Sequence, residues 1–219
     1  VPISDSFNVP WVISALLQIR PQSVLDIGIG TGTYGMLLRQ YLEVGAGRLT
    51  PAQWVVKIDG VEIFENYRNP VWNYCYNNII IGDIHAHLSV LQTYDVILLS
   101  DVLEHFSKND GQELINKLMN LSSYIFITSP RVDYPQEDVY GNKYEIHLSS
   151  WKKCDFEGYN RIFLNLGICF LVILSKDHRL LQSISFKYIP MLEPDWLRND
   201  RLRFQNLARK LNRFFGKKS

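Results

Sequence analysis

The stretch Ser23-Val24-Leu25-Asp26-Ile27-Gly28-Ile29-Gly30-Thr31-Gly32-Thr33-Tyr34-Gly35 constrains this chain more than any other. A β-prone apolar run stops at three alternating glycines, and from Tyr34 to Leu42 apolar positions recur at helical spacing. A strand, a tight turn and a helix start follow from that pattern. Glycines accept positive φ, and without a Cβ they let backbone N–H groups close on a ligand beside a helix N-terminus. The turn is read as a site for a nucleotide-like ligand.

Gly30-x-Gly32-x-x-Gly35 also satisfies the dinucleotide fingerprint. Asp26 points elsewhere, because a carboxylate at the strand end repels a pyrophosphate but suits a ligand carrying an ammonium group. S-adenosylmethionine has an amino-acid end and a sulfonium and no phosphate. The pattern Asp26-x-Gly28-x-Gly30-x-Gly32 resembles the first motif of the class I S-adenosylmethionine-dependent methyltransferases.

The chain has 219 residues, 47% apolar content and a net charge of +1, which suits a folded α/β domain and argues against a globally basic nucleic-acid binder. Cys75, Cys154 and Cys169 are scattered and show no CxxC spacing, so neither a disulfide framework nor a structural zinc site is implied, and reduced thiols in a cytoplasmic setting are expected. The apolar run Ile162 to Leu174 falls short of the ~20 residues that span a bilayer. The chain begins at Val1, which leaves a removed targeting segment open.

Phe7 to Ile19 reads as an amphipathic helix. After the first strand, Val55–Phe64, Asn78–Ile84, Tyr94–Val102 and Tyr124–Thr128 read as further strands, and Lys108–Leu121 as a helix with Leu114, Ile115, Leu118 and Leu121 on one face. Strands alternating with helices imply βαβ units and a mostly parallel sheet. Arg161–Leu166 and Ile168–Ser175 lie close enough to form an antiparallel hairpin. The expectation is a Rossmann-like, doubly wound α/β fold with an antiparallel C-terminal hairpin strand. It resembles the seven-stranded methyltransferase sheet, whose seventh strand inserts antiparallel beside the fifth. Residues 1–189 are taken as one methyltransferase domain and 190–219 as a basic amphipathic extension. Glu43–Trp54 reads as an irregular insertion, and Ser129–Ser150, rich in tyrosine, as a substrate lid after strand five.

Acidic residues fall at successive strand ends: Glu62, Asp83 and Asp101. The methyltransferase resemblance implies that Glu62 binds ribose hydroxyls, with Ile63 beside it. It implies that Asp83 holds the adenine amine while Ile84 contacts the ring. Asp26, Gly28, Gly30, Thr31 and Gly32 complete the cofactor bed, with Asp26 toward the methionine end and Asp101 near the methyl. Gly32 to Glu62 exceeds the ~20 residues of a compact βαβ unit, which the 43–54 insertion explains. Asp101-Val102-Leu103-Glu104-His105 looks like the fourth-strand motif of many small-molecule methyltransferases, including quinone-biosynthesis types. The resemblance covers about Phe7 to Ser175.

His105 is the candidate base, since an imidazole titrates near neutrality; the bland alternative is a residue that caps or packs the following helix. Gly141 to Trp151 resembles a segment of methyltransferases associated with surface-glycan and natural-product assembly. If extended, it puts Glu145 and His147 on one side, as base and orienting partner, as metal ligands, or as a lid pinned by ordinary hydrogen bonds. No metal site is assigned. His85 and His87 are read as structural or solvent-facing, and Tyr134, Tyr140, Tyr144 and Trp151 as candidate acceptor contacts or core closers.

The tail from Arg198 to Lys218 carries eight basic residues against one acid. Its apolar stripe suits an anionic membrane or, by the preferred reading, packing on the domain or a second copy. The resulting expectation is methyl transfer from S-adenosylmethionine to a small-molecule acceptor, a hydroxyl of a sugar or related metabolite. Rival readings are a nucleic-acid or protein methyltransferase using the tail, an NAD-dependent oxidoreductase and a non-catalytic cofactor-binding module. No Asn-Pro-Pro-Tyr-like tetrapeptide follows strand four, which weighs against methylation of base amino groups.

Overall fold

Short segments rich in apolar residues form a seven-stranded sheet in the computed structural model, which describes residues 6–131, 136–139 and 141–186. The strands are β1 (Ser23–Ile27), β2 (Lys57–Glu62), β3 (Asn78–Ile81), β4 (Tyr94–Ser100), β5 (Ser122–Pro130), β6 (Arg161–Leu166) and β7 (Cys169–Leu174). Their order is β3-β2-β1-β4-β5-β7-β6. β1 to β5 run parallel, and β7 lies antiparallel between β5 and β6. The direction of winding reverses between β1 and β4, and at such a switch point the carboxyl ends of the strands open a crevice. β1, β4 and β7 are buried along almost their whole length, as strands covered on both faces must be.

The helices are α1 (Val9–Ile19), α2 (Thr33–Leu38), α3 (Pro70–Cys75), α4 (Ile84–His87), α5 (Lys108–Leu118) and α6 (His178–Gln182). Proline opens α1, and left-handed Arg20 closes it by donating its N–H to the Leu16 carbonyl. The Ser107 side chain accepts from Asp110 N at the start of α5. Leu114, Ile115 and Leu118 of that helix bury against Leu25, Ile97, Leu99, Ile125 and Ile127.

Trp151, read from the sequence as an acceptor contact or a core closer, belongs to this core. It is 1% exposed, its Nε1 donates to the Leu103 carbonyl at 3.1 Å, and its ring fills space that a Cβ at Gly111 would enter at 2.6 Å.

The 43–54 insertion is less irregular than expected. The chain leaves α2 through a π turn at Arg39–Glu43, and 3-10 turns form at Val44–Ala46 and Pro51–Gln53. Arg39 and Glu43 are both buried. Glu43 accepts from Val55 N at 2.9 Å, Val56 N at 2.7 Å and Arg48 Nε. Arg39 donates to the carbonyls of Cys75 at 2.8 Å and Val56 at 2.7 Å and to Asn77 Oδ1 at 2.8 Å. This ionic knot ties the insertion to β2 and α3.

β5 is longer than expected at both ends, because Ser122 pairs with Tyr94 of β4 and Ser129 and Pro130 pair with Phe170 and Cys169 of β7. α5 stops at Leu118, three residues short. Cys75, Cys154 and Cys169 are free thiols. Among the described residues no helix is long and apolar enough to cross a membrane. This fold lies in the unit Val1–Ser185; a second unit, Phe186–Ser219, falls outside the described residues except for Phe186. The basic tail, Tyr134 and Tyr140 are likewise outside them.

Candidate active site

β1 ends in the glycine turn. Gly28 has φ +77°, and a Cβ there would stand 2.5 Å from Val102 Cγ2, so β4's following loop closes directly over it. The turn then leans on β2: Gly28 N donates to the Val61 carbonyl at 2.8 Å, and Gly30 N to Glu62 Oε2 at 2.8 Å. Glu62 Oε1 accepts from Phe64 N at 2.9 Å. Burial raises the Glu62 pKa, and the N–H donors of Phe64 and Gly30 oppose the rise. An ionised carboxylate has about four acceptor positions, so Glu62 retains capacity for a ligand's hydroxyls.

Asp26 is 2% exposed. Tyr76 Oη donates to Asp26 Oδ2 at 2.6 Å and accepts from Gly35 N at 3.1 Å, which joins the strand end to α2. The Tyr76 ring is wedged tightly, since a Cβ at Gly35 or Gly60 would meet it at 2.5 or 3.0 Å. Burial pushes the Asp26 pKa up to about 7; the Tyr76 hydrogen bond opposes this and the charge of Glu62 adds to it.

Asp83 caps α4, accepting from His85 N at 2.9 Å, and Ile84 is buried beside it. Asp101 turns at φ +54°, a conformation that aspartate tolerates better than most residues, and the chain enters a 3-10 turn at Leu103–His105. Glu104 is 3% exposed; its carboxylate accepts from Ser129 Oγ at 3.1 Å, and its carbonyl accepts from Leu148 N and Ser149 N. Burial, with the charge of Asp101, holds its pKa well above the ordinary range.

The segment after β5 is therefore strapped to the end of β4. His105 Nδ1 lies 3.2 Å from the Ile146 carbonyl. A carbonyl only accepts, so Nδ1 carries the hydrogen and Nε2 the lone pair. Burial lowers the His105 pKa, the Ile146 carbonyl opposes the shift, and neighbouring His147, whose ring centroid is 5.0 Å away, adds to it.

Glu145 faces Tyr67, and His147 stands beside His105. Asn142 caps a 3-10 turn at Lys143–Glu145, which breaks the extended alternation expected of this segment. The Glu145 carboxylate accepts from Tyr67 Oη at 2.9 Å and Gln136 Nε2 at 3.3 Å, and Asn142 Nδ2 donates to Tyr67 Oη at 3.1 Å. Burial pushes the Tyr67 pKa up to about 12. Glu145 thus latches the segment after β5 to the segment after β2, while His147 stands with His105.

These groups surround one cavity of about 400 Å³. Gly28, Gly30, Ile63, Ile84, His105, Tyr144 and His147 line it, together with six carboxylates: Asp26, Glu62, Asp83, Asp101, Glu104 and Glu145. Among the described residues no lysine or arginine lines it. Thr31 and Gly32 are not brought to it. Thr31 is exposed and its carbonyl accepts from Asn69 Nδ2 at 3.1 Å, while Gly32 serves as the N-cap of α2 against Val71.

The fold matches solved methyltransferases. The fold is similar to an O-methyltransferase family protein from Burkholderia thailandensis, with a TM-score of 0.56 and 15% identity over 78% of this chain and 55% of that one. The chain has the class I methyltransferase fold. It is also similar to the N-terminal domain of EvdMO1 with S-adenosylhomocysteine bound (TM-score 0.55, 13% identity, 78% of this chain and 80% of that one). A third neighbour is magnesium protoporphyrin IX methyltransferase from Synechocystis PCC 6803 with S-adenosylhomocysteine bound (TM-score 0.54, 14% identity, 78% and 82%). No family model and no curated protein sequence matches the chain.

Within the methyltransferase fold, sequence reasoning missed Tyr76, Tyr67, Asn142 and Glu104. Glu104 was visible inside the Asp101–His105 motif. Tyr67 and Asn142 reach the cavity, and Tyr76 supports it through Asp26, from segments with no pattern of their own.

Proposed function

We propose that the chain is a methyltransferase that uses S-adenosylmethionine and acts on a small acceptor, a hydroxyl of a sugar or related metabolite. The observation that carries this reading is the acidic lining of the cavity: six carboxyl side chains and, among the described residues, no lysine or arginine. Such a lining favours a ligand with a sulfonium and an ammonium group over one with a pyrophosphate. It weighs against the NAD reading and against drawing a nucleic-acid backbone into this cavity.

The residues fit the cofactor's parts. Asp26 is buried at the end of β1 for an ammonium, Glu62 has acceptor capacity for ribose hydroxyls, and Asp83 with Ile84 offers a polar edge and an apolar face for adenine. When bound, S-adenosylmethionine supplies an electrophilic methyl group.

The protein's part is to align the acceptor, exclude water and receive a proton. Neutral His105 presents a lone pair on Nε2, and the acceptor hydroxyl's proton passes to it. The nearby carboxylates stabilise the imidazolium that results. Tyr144 and the latch held by Glu145 cover the acceptor end.

The test is calorimetric titration of the protein with S-adenosylmethionine, S-adenosylhomocysteine and NAD in parallel. Micromolar binding of the two adenosyl ligands, with NAD silent, is expected. Binding of NAD alone would replace this reading with an oxidoreductase. Binding of S-adenosylmethionine with no methylated product from any hydroxylated acceptor would leave a non-catalytic cofactor-binding module.

A further inference from the structure

We propose that Glu104, His105 and His147 form a binding site for a first-row divalent transition-metal ion at the acceptor end of the cavity. One carboxylate oxygen and one ring nitrogen from each histidine lie within 4.8 Å of one another. Ligands at ~2.0–2.2 Å around a tetrahedral ion stand roughly 3.4 Å apart. Small side-chain rotations close the set onto an ion.

The surroundings prepare these groups as ligands. The Ile146 carbonyl holds the His105 Nδ1 hydrogen at 3.2 Å, leaving Nε2 as the donor atom. Metal-bound histidines are commonly oriented in this way by a backbone carbonyl on the other nitrogen. Ser129 Oγ donates to the Glu104 carboxylate at 3.1 Å, which aims the acidic ligand.

Charge makes an independent case. Glu104 is 3% exposed and is one of six carboxyl side chains that line the cavity. Buried carboxylates call for a positive partner, and a metal ion is one of the few that fit. Ser100 Oγ, which lines the same cavity, is buried with no hydrogen-bond partner among the described residues.

Two imidazoles and one carboxylate suit Zn²⁺, Co²⁺, Fe²⁺ or Mn²⁺ better than Mg²⁺ or Ca²⁺, which prefer oxygen. Three protein ligands leave a coordination position open, as in catalytic rather than structural sites. An acceptor hydroxyl bound there is acidified by the ion. Its proton goes to bulk water, and the oxygen attacks the methyl carbon as the carbon–sulfur bond breaks. In this state the imidazoles hold the ion instead of taking the proton. The catalytic role rests on the methyltransferase reading, whereas metal binding does not.

The experiment is titration of chelator-stripped protein with Co²⁺ and Zn²⁺ alone, followed by calorimetry and by the visible ligand-field bands of bound Co²⁺, with Mg²⁺ as the comparison. One ion per chain is expected, bound more tightly than Mg²⁺. His147→Gln and Glu104→Gln should each weaken it at least about tenfold, and Ser129→Ala by about tenfold. Circular dichroism checks that the variants fold, and His147→Gln at a half-buried position guards against loss of fold in the Glu104 variant. Absence of binding, or binding that His147→Gln and Glu104→Gln leave unchanged, overturns the site. Titration of the same protein with S-adenosylmethionine separates the two readings: a metal bound without the cofactor sinks the methyltransferase proposal alone, and the cofactor bound without a metal sinks this one alone.

Discussion

Asp26→Asn tests the electrostatics of the glycine turn without changing its shape. Burial holds the Asp26 carboxyl at about 7 against an ordinary 3.8. Between those values the folded chain keeps a proton that the unfolded chain has lost, so stability falls as pH rises through the window and levels off above the folded pKa. At ~1.36 kcal/mol per pH unit, the full penalty is about 4 kcal/mol. Asparagine does not titrate, and its amide oxygen can still accept from Tyr76 Oη. Urea denaturation of the ligand-free protein should show Asp26→Asn gaining on the wild type by about 2–3 kcal/mol between pH 5 and pH 8. S-adenosylmethionine affinity should fall in the same variant. A stability difference that stays flat over that range, or a wild type that gains with pH, would refute the assignment of a raised pKa to this buried carboxyl.

Gly28→Ala should destabilise the fold by about 1–3 kcal/mol, because the new Cβ combines a left-handed backbone with the Val102 clash. Adding Val102→Ala should recover only the steric part in thermal denaturation. Glu43→Ala removes the acceptor of two backbone N–H groups and the partner of buried Arg39, so a loss of about 3–5 kcal/mol is expected in urea titrations. Tyr67→Phe breaks the latch to Glu145 and Asn142 and should weaken cofactor binding about fivefold by calorimetry, near 1 kcal/mol, with little change in the unfolding midpoint.

Most strands were legible as short apolar runs, and Glu62 and Ser100-Asp101 mark where a polar crevice interrupts the core. The glycine turn was legible for the complementary reason, since few other residues tolerate its backbone. What stayed hidden depends on side chains that meet from distant segments. His105 and His147 are separated by 41 intervening residues of loop, helix and strand and become neighbours only when the Glu104 carbonyl captures Leu148 and Ser149. Glu145 looked like a partner for His147 because an extended segment puts alternate residues together, and the cap at Asn142 turned it toward Tyr67. Trp151 left two readings open, acceptor contact or core closer, because the core slot it fills is opened by Gly111, 40 positions earlier. Arg39 and Glu43 carry no sequence signal of burial, yet both are buried at the π turn.

The wedge of Tyr76 couples three positions that are far apart in the chain. Its ring fills the space above both Gly35 and Gly60, so neither glycine can acquire a side chain while the tyrosine stays. A smaller residue at 76 would free Gly35 but not Gly60, where a Cβ would still meet Ile29 Cγ2 at 2.8 Å, and it would leave Asp26 without its phenolic donor and Gly35 N without its acceptor. Single-residue steps away from this arrangement all lead downhill in stability. A protein engineer rebuilding the turn would have to exchange the trio together with Asp26, and Tyr76 is the place to begin a search for compensating substitutions.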